Sequence, residues 1–290
     1  MSETVYDMDK IDIQQIGILI ENALLEDIGT GDVTTDALIP DSMIRTATMV
    51  AKADGVIAGL DVAEAVFRYL TPQFSWKPFV QDGDQIKKGD LLVEMAGPFR
   101  ALLSGERLAL NFLQRMSGIA TATALFTAQV SEFNTKILDT RKTVPGLRLL
   151  DKYAVKAGGG ENHRIGLYDM VLIKDNHIKV AGGIKKAVEQ IRRYVPKEMK
   201  IEVETTNIEE VLEALEMQVD IIMLDNMSNE MMKTCVALIS HRAKVEASGN
   251  MNLDRVREVA ATGVDYISIG ALTHSVMALD ISMNIKTDQI

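Results

Sequence analysis

The stretch IEVETTNIEEVLEALEMQVDIIMLD, residues 201–225, has the pattern of one strand–helix–strand repeat. Two short apolar runs, Ile201–Glu204 and Ile221–Asp225, flank a segment in which apolar residues recur three and four positions apart. This spacing predicts two strands joined by an amphipathic helix. Asn207 stands where the N-cap of that helix belongs. The stretch therefore predicts a parallel sheet covered by helices.

The same pattern recurs on both sides of this repeat. The predicted strands are Lys136–Asp139, Met170–Lys174, Ile201–Glu204, Ile221–Asp225, Lys244–Ala247 and Tyr266–Gly270. Amphipathic helices are predicted between them, and Ser228 and Asn252 stand at further N-cap positions. The last four strands begin about 20 residues apart, which is the pitch of repeated βα units. Six such units without a dinucleotide-binding glycine fingerprint favour an α/β fold with a closed barrel.

The residues before this region have a different character and are predicted to form a separate domain. Helical spacing and strand-like runs alternate there, with predicted helices at 11–25, 60–70 and 101–128, strands within 43–59 and a polar loop at 26–40. Residues 80–95 alternate apolar pairs with Asp-Gly and Lys-Gly turns, like the β-hammerhead of biotinyl and lipoyl carriers without their modified lysine. We place the domain boundary near residue 115, inside the last of these helical segments.

The composition argues against two classes of partner. Of 290 residues, 47% are apolar and 25% are charged, and the net charge is −10. Nucleic acids and anionic membranes both bind basic protein surfaces, so an acidic chain is not expected to bind either. The acidic start MSETVYDMDK has no signal-peptide pattern, and no apolar run approaches the length of a membrane span. The single cysteine, Cys235, excludes an intramolecular disulfide, and a cytoplasmic location is expected.

Positive charge is concentrated in residues 137–177. This stretch has seven Lys/Arg against five Asp/Glu, a local balance of +2 in a chain of charge −10. Three glycines, 158–160, precede the neighbouring pair His163 and Arg164. Such a concentration of cations predicts a small ligand that carries several negative charges.

Polar residues or glycine follow the predicted strands, one after another. They are Asp139 and Arg141, Lys174, Glu204, Asp225, Ser248 and Gly270. In a parallel barrel the carboxyl ends of the strands share one face, where active sites are built. A single charge after a strand is usually a solvated loop residue, but six such ends in sequence predict a functional site.

The two acids at these ends, Glu204 and Asp225, have several possible roles. Their oxygens suit Mg²⁺, which binds one or two carboxylates together with substrate phosphates. They could equally hold sugar hydroxyls, stabilise positive charge at a reacting carbon, or serve only as helix caps and salt-bridge partners. Lys174 could form a Schiff base if desolvated, or act as a charge partner for an anion.

The last two strand ends suggest a phosphate site. Ser248-Gly249-Asn250 and Gly270-Ala271 each precede a helix, and backbone N–H groups at such positions can bind phosphate. His274 could assist there or merely cap a helix.

Several long segments resemble one enzyme family. DTRKTVPGLRLLDKYAVKAGGGENHRIGLYDMVLIKDNH, residues 139–177, closely resembles the signature of quinolinate phosphoribosyltransferases, the decarboxylating nicotinate-nucleotide pyrophosphorylases. The likeness extends to EDIGTGDVTTDALIP (26–40), GERLALNFLQRMSGIAT (105–121), IEVET (201–205), IIMLDN (221–226), EASGN (246–250) and GVDYISIGALTHS (263–275). It therefore spans nearly the whole chain.

The resemblance implies an N-terminal α/β sandwich (1–115), an incomplete α/β barrel with the active site (116–274), and a tail (275–290) that rejoins the first domain. It also implies a homodimer with a shared active site, which could assemble further. The expected reaction transfers phosphoribosyl from phosphoribosyl pyrophosphate to quinolinate with Mg²⁺, giving nicotinate mononucleotide, pyrophosphate and CO₂, a step of NAD biosynthesis.

The resemblance also assigns roles to residues. Arg141, His163, Arg164 and Lys174 would surround quinolinate, with Arg107 reaching in from the other subunit. Thr140 joins this substrate-binding set, and Lys142 and Lys174 would meet the phosphoribosyl donor. Glu204 and Asp225 would hold its ribose hydroxyls and the metal. The 5′-phosphate would lie against Ser248, Gly249, Asn250, Gly270 and Ala271, and His274 stays a candidate substrate-binding residue beside them. Lys142, Lys174, Glu204 and Asp225 are the expected catalytic residues.

Two other functions are compatible with some of these residues. The first is a Schiff-base barrel aldolase that uses Lys174. The second is a non-catalytic protein that binds a small anion, like the molybdenum-transport-associated relatives of this family. Intact Arg107, Lys174, Glu204 and Asp225 favour catalysis.

Overall fold

The computed structural model describes residues 10–286, so the acidic start of the chain and the last four residues of the predicted tail lie outside the described residues. The helices are α1 (Ile13–Ile28), α2 (Val33–Leu38), α3 (Leu60–Leu70), α4 (Phe99–Gln129), α5 (Arg148–Ala157), α6 (Asp175–Ala181), α7 (Ile184–Tyr194), α8 (Ile208–Glu216), α9 (Asn229–Ile239), α10 (Leu253–Ala260) and α11 (Ala271–His274). The strands are β1 (Ile44–Ala51), β2 (Gly55–Val56), β3 (Ser75–Pro78), β4 (Gln85–Ile86), β5 (Leu91–Pro98), β6 (Lys136–Leu138), β7 (Val171–Ile173), β8 (Ile201–Thr205), β9 (Ile221–Asp225), β10 (Lys244–Ser248), β11 (Tyr266–Ser268) and β12 (Ile281–Lys286).

The chain forms two compact units. Among the described residues, the first unit contains 10–124, Val144–Gly159 and 275–286, and the second contains Leu125–Thr143 and Gly160–His274. The expected boundary near residue 115 and the end of the first segment at Ala124 both lie within helix α4.

Helix α5, expected with the barrel, belongs to the first unit. Its side chains explain why. Asp151 is wholly buried and receives two hydrogen bonds of 2.9 Å from Arg115. Tyr153 donates to Asp82 at 2.8 Å, and Asp82 in turn accepts from the backbone N–H of Gly59 at the start of α3. Because these partners all lie in the first unit, α5 packs there.

The first unit is built on an antiparallel sheet with the strand order β12-β1-β5-β3. The tail strand β12 pairs with β1 along its whole length, from Thr46 opposite Lys286 to Ala51 opposite Ile281. Helix α3 buries Phe67, whose ring stacks on Phe74 at 5.1 Å between centroids. The expected polar loop at 26–40 is partly helical instead, because α1 continues to Ile28 and α2 follows.

The second unit is a six-stranded parallel sheet with the order β6-β11-β10-β9-β8-β7. Helices follow its strands as the sequence pattern predicts. The three predicted N-caps are confirmed, since the side chains of Asn207, Ser228 and Asn252 accept hydrogen bonds from the third residue beyond each of them. No helix within residues 10–286 is long and apolar enough to cross a membrane.

The prediction of a closed barrel is wrong, and the incomplete α/β barrel implied by the resemblance is confirmed. Strands β6 and β7 are the two edges of the sheet. The glycine-rich stretch runs beside β6 instead of forming a strand: Glu161 donates its N–H to Ile137 at 2.8 Å and makes a single parallel bridge to Leu138. Its glycines and polar residues end this pairing at once, so β6 and β7 are not joined.

Candidate active site

A cleft of about 510 Å³ lies at the carboxyl ends of the parallel strands in the second unit. Its lining residues are Thr140, Arg141, Lys142, His163, Arg164, Leu172, Lys174, Glu204, Met223, Asp225, Glu246, Ser248 and Ser268. Nine of these residues were expected at the site from the sequence. The strand-end pattern therefore does gather distant residues into one cavity.

Six expected site residues are not among those lining the cleft. They are Arg107, Gly249, Asn250, Gly270, Ala271 and His274. Arg107 is an exposed residue of α4 in the first unit. Gly270 packs against the cleft residue Lys142, since a Cβ at this position would lie 2.8 Å from Lys142 Cδ and 3.1 Å from His274 Cδ2. A larger residue at this position would therefore require the Lys142 side chain to move.

Four cations line the cleft: Arg141, Lys142, Arg164 and Lys174. The guanidinium of Arg164 donates to the carbonyl of Met170 at 3.0 Å. Burial, followed by the nearby charge of Arg141, lowers the pKa of Arg164. Within residues 10–286 the buried Nε of Arg141 has no hydrogen-bond partner. An anionic ligand would both neutralise this pair and satisfy that donor.

Lys174 is paired with an acid of the next strand. Its Nζ lies 2.8 Å from Glu204 Oε2, and the lysine side chain is 48% exposed. A Schiff-base lysine needs a desolvated amine. The ion pair and the exposure therefore favour a charge-partner role for Lys174.

The loop carrying His163 and Arg164 is fastened to the end of β6. Asp139 is wholly buried and accepts hydrogen bonds from Asn162 Nδ2 at 2.6 Å and from His163 N at 2.9 Å. The role of Asn162 was not anticipated, because an asparagine after a glycine run is also typical of a plain turn. Asp139 is therefore an anchor for the loop and not a group that faces the ligand.

Two wholly buried acids form the floor of the cleft beneath His163. His163 Nε2 lies 3.0 Å from Glu202 Oε2 and 3.5 Å from Glu246 Oε2. Burial raises the pKa of Glu202 to about 7 and that of Glu246 to about 8, the latter helped by the charge of Glu202. Sequence reasoning missed both. The available signal was a glutamate between two apolar residues in each of two predicted strands, IEVET and KVEAS.

The acid Asp225 is held by a neighbour with unusual backbone geometry. Asn226 donates to Asp225 Oδ2 at 2.8 Å and accepts from Asn250 Nδ2 at 3.2 Å. Both asparagines have left-handed backbones, with φ of 53° and 50°. Gly249 lies directly beneath, where a Cβ would come within 2.2 Å of Asn226 Oδ1. Strained residues of this kind are typical of functional sites.

Glu204 and Asp225 offer the donor chemistry that magnesium requires. They stand at the ends of β8 and β9, which are neighbours in the sheet, and both line the cleft. An oxygen-only pair of carboxylates fits Mg²⁺, which completes its shell with water and phosphate oxygens.

Comparison with known proteins identifies relatives along the whole chain. The family "Quinolinate phosphoribosyl transferase" matches residues 32–117 with its N-terminal domain and residues 119–284 with its C-terminal domain. The chain is 46% identical over 289 residues to the chloroplastic nicotinate-nucleotide pyrophosphorylase [carboxylating] of Oryza sativa subsp. japonica, with 93% of this chain and 77% of the relative covered.

Solved structures agree with this result. NadC from Streptococcus pyogenes superposes with a TM-score of 0.93 at 40% identity, covering 96% of this chain and 98% of that one. The nicotinate-nucleotide pyrophosphorylase from Francisella tularensis gives a TM-score of 0.93 at 38% identity, covering 98% of this chain and 100% of that one. The two family matches cover most of the chain, and the cleft is lined by both cations and carboxylates. The chain therefore belongs to the quinolinate phosphoribosyltransferase family.

Proposed function

We propose that the protein transfers the phosphoribosyl group of phosphoribosyl pyrophosphate to the ring nitrogen of quinolinate, with loss of CO₂. The products are nicotinate mononucleotide and pyrophosphate, so the reaction belongs to NAD biosynthesis. The observation that carries this proposal is that one cleft is lined by four cationic side chains and by two acids at neighbouring strand ends. The two substrates together bring two carboxylates, a phosphate and a pyrophosphate to these cations.

Quinolinate would occupy the side of the cleft that carries Arg141 and Arg164. Guanidinium groups recognise carboxylates through paired, charge-assisted hydrogen bonds. The lowered pKa of Arg164 and the unpaired Nε of Arg141 indicate that this side accommodates negative charge. Clamping the diacid beside the sugar donor brings the ring nitrogen within reach of the reacting carbon, an effect worth roughly 7–11 kcal/mol in favourable cases.

The sugar donor would lie against Glu204 and Asp225, with Lys142 near its phosphates. As the bond from C1 to pyrophosphate breaks, the ribose acquires positive charge that these two carboxylates can offset. Magnesium, held through Glu204 and Asp225 directly or through water and substrate, would neutralise the departing pyrophosphate. The 5′-phosphate would lie against Ser248 and the backbone that follows β10 and β11.

Decarboxylation follows from the new bond. The pyridine nitrogen forms its bond to C1 with its own electron pair and becomes positively charged. The bond between C2 and its carboxylate then breaks, CO₂ leaves, and the electron pair remains on C2, where the ring nitrogen stabilises it until a proton from water adds. No covalent enzyme intermediate is required, so Lys174 acts through its positive charge, as a partner for an anionic group of the substrates.

Steady-state assays with quinolinate, phosphoribosyl pyrophosphate and Mg²⁺ test the proposal. We expect nicotinate mononucleotide, pyrophosphate and CO₂ in equal amounts, with no turnover when the donor or the metal is withheld. Borohydride trapping of a substrate on Lys174 would instead support the aldolase alternative. Tight quinolinate binding without product would support a non-catalytic anion-binding protein.

We infer a homodimer in which Arg107 of one chain completes the partner's site, which the family resemblance supports. Arg107→Ala and Lys174→Ala proteins are each expected to be weakly active, and mixing them should restore activity, because half of the hybrid sites then carry neither change. Lack of rescue after verified subunit exchange would contradict a shared site.

We also propose a cytoplasmic location, which the single cysteine supports because structural disulfides are rare in that compartment. The rice relative is named chloroplastic, so the comparison with relatives does not decide the compartment. Fractionation of the native cells with antibody detection tests this proposal.

A further inference from the structure

The buried acids Glu202 and Glu246 form a second layer directly beneath the mouth of the cleft. Side chains two residues apart in a strand point to the same face. Glu202 therefore lies one layer below Glu204 in β8, and Glu246 one layer below Ser248 in β10. Both glutamates are 0% exposed. Glu246 itself lines the cleft, and His163, another lining residue, contacts both acids through its Nε2.

Both ring nitrogens of His163 are engaged within the protein. Nδ1 accepts the backbone N–H of Arg164 at 2.7 Å, and an accepting nitrogen carries no proton. The proton of the neutral ring is therefore on Nε2, which lies 3.0 Å from Glu202 Oε2. In this arrangement Nδ1 is occupied by the backbone of Arg164 and Nε2 lies against the buried acids, whereas the family resemblance implies that His163 also surrounds quinolinate.

A connected set of contacts thus runs from the buried acids to the arginine that faces the ligand. Glu202 and Glu246 contact His163 Nε2, and His163 Nδ1 holds the backbone of Arg164. The other end of Arg164 is held by the carbonyl of Met170. Arg164 is therefore fixed at both its backbone and its guanidinium, as recognition of a rigid diacid requires.

We propose that Glu202 and Glu246 are positioning residues for quinolinate binding, which act through His163 on the placement of Arg164. The inference rests on the proposed function for the identity of the ligand. If these two positions served only for packing, apolar side chains would stabilise the fold more, because burying carboxyl groups costs free energy. Among residues 10–286, moreover, none of their four carboxyl oxygens accepts a hydrogen bond of good angular geometry.

His163, Glu202 and Glu246 also have the composition of a metal site, since one ligand atom from each lies within 4.8 Å of the others. The positive charge of Arg164 nearby and the complete burial of both acids disfavour a cation there. Positioning therefore accounts for the cluster better than metal binding, and the experiment separates the two.

The experiment compares Glu202→Leu and Glu246→Leu with Glu202→Gln and Glu246→Gln in the full-length enzyme. Glutamine keeps a polar side chain of the same length beside His163 Nε2, whereas leucine removes the polar group. We expect each leucine variant to raise the KM for quinolinate about 10-fold or more. The KM for phosphoribosyl pyrophosphate should change by less than about threefold, and the glutamine variants should recover most of the loss. Glu209→Gln, an exposed acid of α8, is the matched control and should behave as wild type.

Other outcomes would overturn the inference. These are equal effects on both KM values, a glutamine variant no better than leucine, or unchanged quinolinate use in folded leucine variants. If the leucine variants do not fold, a double-mutant cycle of Glu246→Gln with His163→Phe replaces them. The inference then predicts non-additive effects on quinolinate affinity measured by calorimetry, and additive effects would contradict it.

Two further measurements distinguish the positioning role from a metal site and from a failure of the proposed function. One tightly bound Mn²⁺ per substrate-free chain that disappears in Glu246→Gln would make the cluster a metal site and overturn the inference. Wild-type protein that binds quinolinate but forms no nicotinate mononucleotide would instead refute the proposed function. The binding comparison would still decide the positioning role in that case.

Discussion

Two acids of β8, Glu202 and Glu204, stand two residues apart on the same face of the sheet and have opposite surroundings. Glu204 belongs to the mouth of the cleft, where it is 15% exposed and paired with Lys174 at 2.8 Å. Glu202, one layer deeper, is 0% exposed and contacts only a histidine and another acid among the partners described. Depth below the strand ends thus separates acids that can meet the ligand from acids that hold other residues in place.

The largest effect should come from the mouth layer. Glu204→Ala or Asp225→Ala is expected to lower kcat/KM for phosphoribosyl pyrophosphate by about 10²- to 10³-fold, on the scale of removing one electrostatic stabiliser of a transition state. Quinolinate affinity should fall much less, which calorimetry can measure. Glu209→Ala on the outer face of α8 is the control. If quinolinate binding suffers more than donor use, the assignment of these acids is wrong.

The next effect concerns the cationic side of the cleft. Arg164→Lys keeps the charge but loses the planar fork that binds a carboxylate through two hydrogen bonds. We expect the KM for quinolinate to rise about 10- to 100-fold in steady-state assays, with little change in the donor KM. Arg192→Lys, at an exposed position of α7, is the control. An unchanged quinolinate KM would exclude bidentate recognition by Arg164.

Much of this arrangement follows from sequence patterns. The βα rhythm gave the parallel sheet, and the caps Asn207, Ser228 and Asn252 gave the starts of three helices because capping depends on nearest neighbours alone. The residues at strand ends could be placed in one cleft because parallel strands share a carboxyl edge. Local sequence patterns were therefore enough to predict the strands, the helix starts and the shared edge where the site lies.

Other features depend on tertiary packing and were not predictable in this way. Helix α5 has the periodicity of a barrel helix, yet its Asp151 and Tyr153 find partners in the first unit. The open edge of β6 depends on how Glu161 pairs. Glu202 and Glu246 can be recognised in the sequence only as glutamates between apolar residues, and their meeting beneath His163 depends on the pairing of β8, β9 and β10.

The buried acid Glu246 should make the free energy of unfolding depend on pH. Burial raises the pKa of Glu246 from its ordinary value near 4.5 to about 8, so between these pH values the folded state binds more protons than the unfolded state. The stabilising effect of protonation is complete below pH 4.5 and is lost as the pH rises through about 8. The free energy of unfolding in urea should therefore decline between pH 5 and 8, and decline less in Glu246→Gln. Parallel curves for the two proteins would contradict this account.

The smallest effect is expected at Asn226, which orients Asp225 from a left-handed backbone position. Asn226→Ala should raise the KM for phosphoribosyl pyrophosphate about 3- to 10-fold. Asn226→Gly should lose the same hydrogen bonds but remain more stable than the alanine variant by about 1 kcal/mol, because glycine adopts this backbone without strain. Thermal unfolding and kinetics of the two variants make the comparison, and equal stability would argue against backbone strain at this site.

The most direct test of the two-layer account is a pair of KM measurements on Glu204→Gln and Glu202→Leu under identical conditions. We expect Glu204→Gln to raise the KM for phosphoribosyl pyrophosphate and to leave the quinolinate KM within about threefold of wild type. Glu202→Leu should do the reverse. If both changes raise the same KM, or both KM values equally, then depth below the strand ends does not separate the two roles.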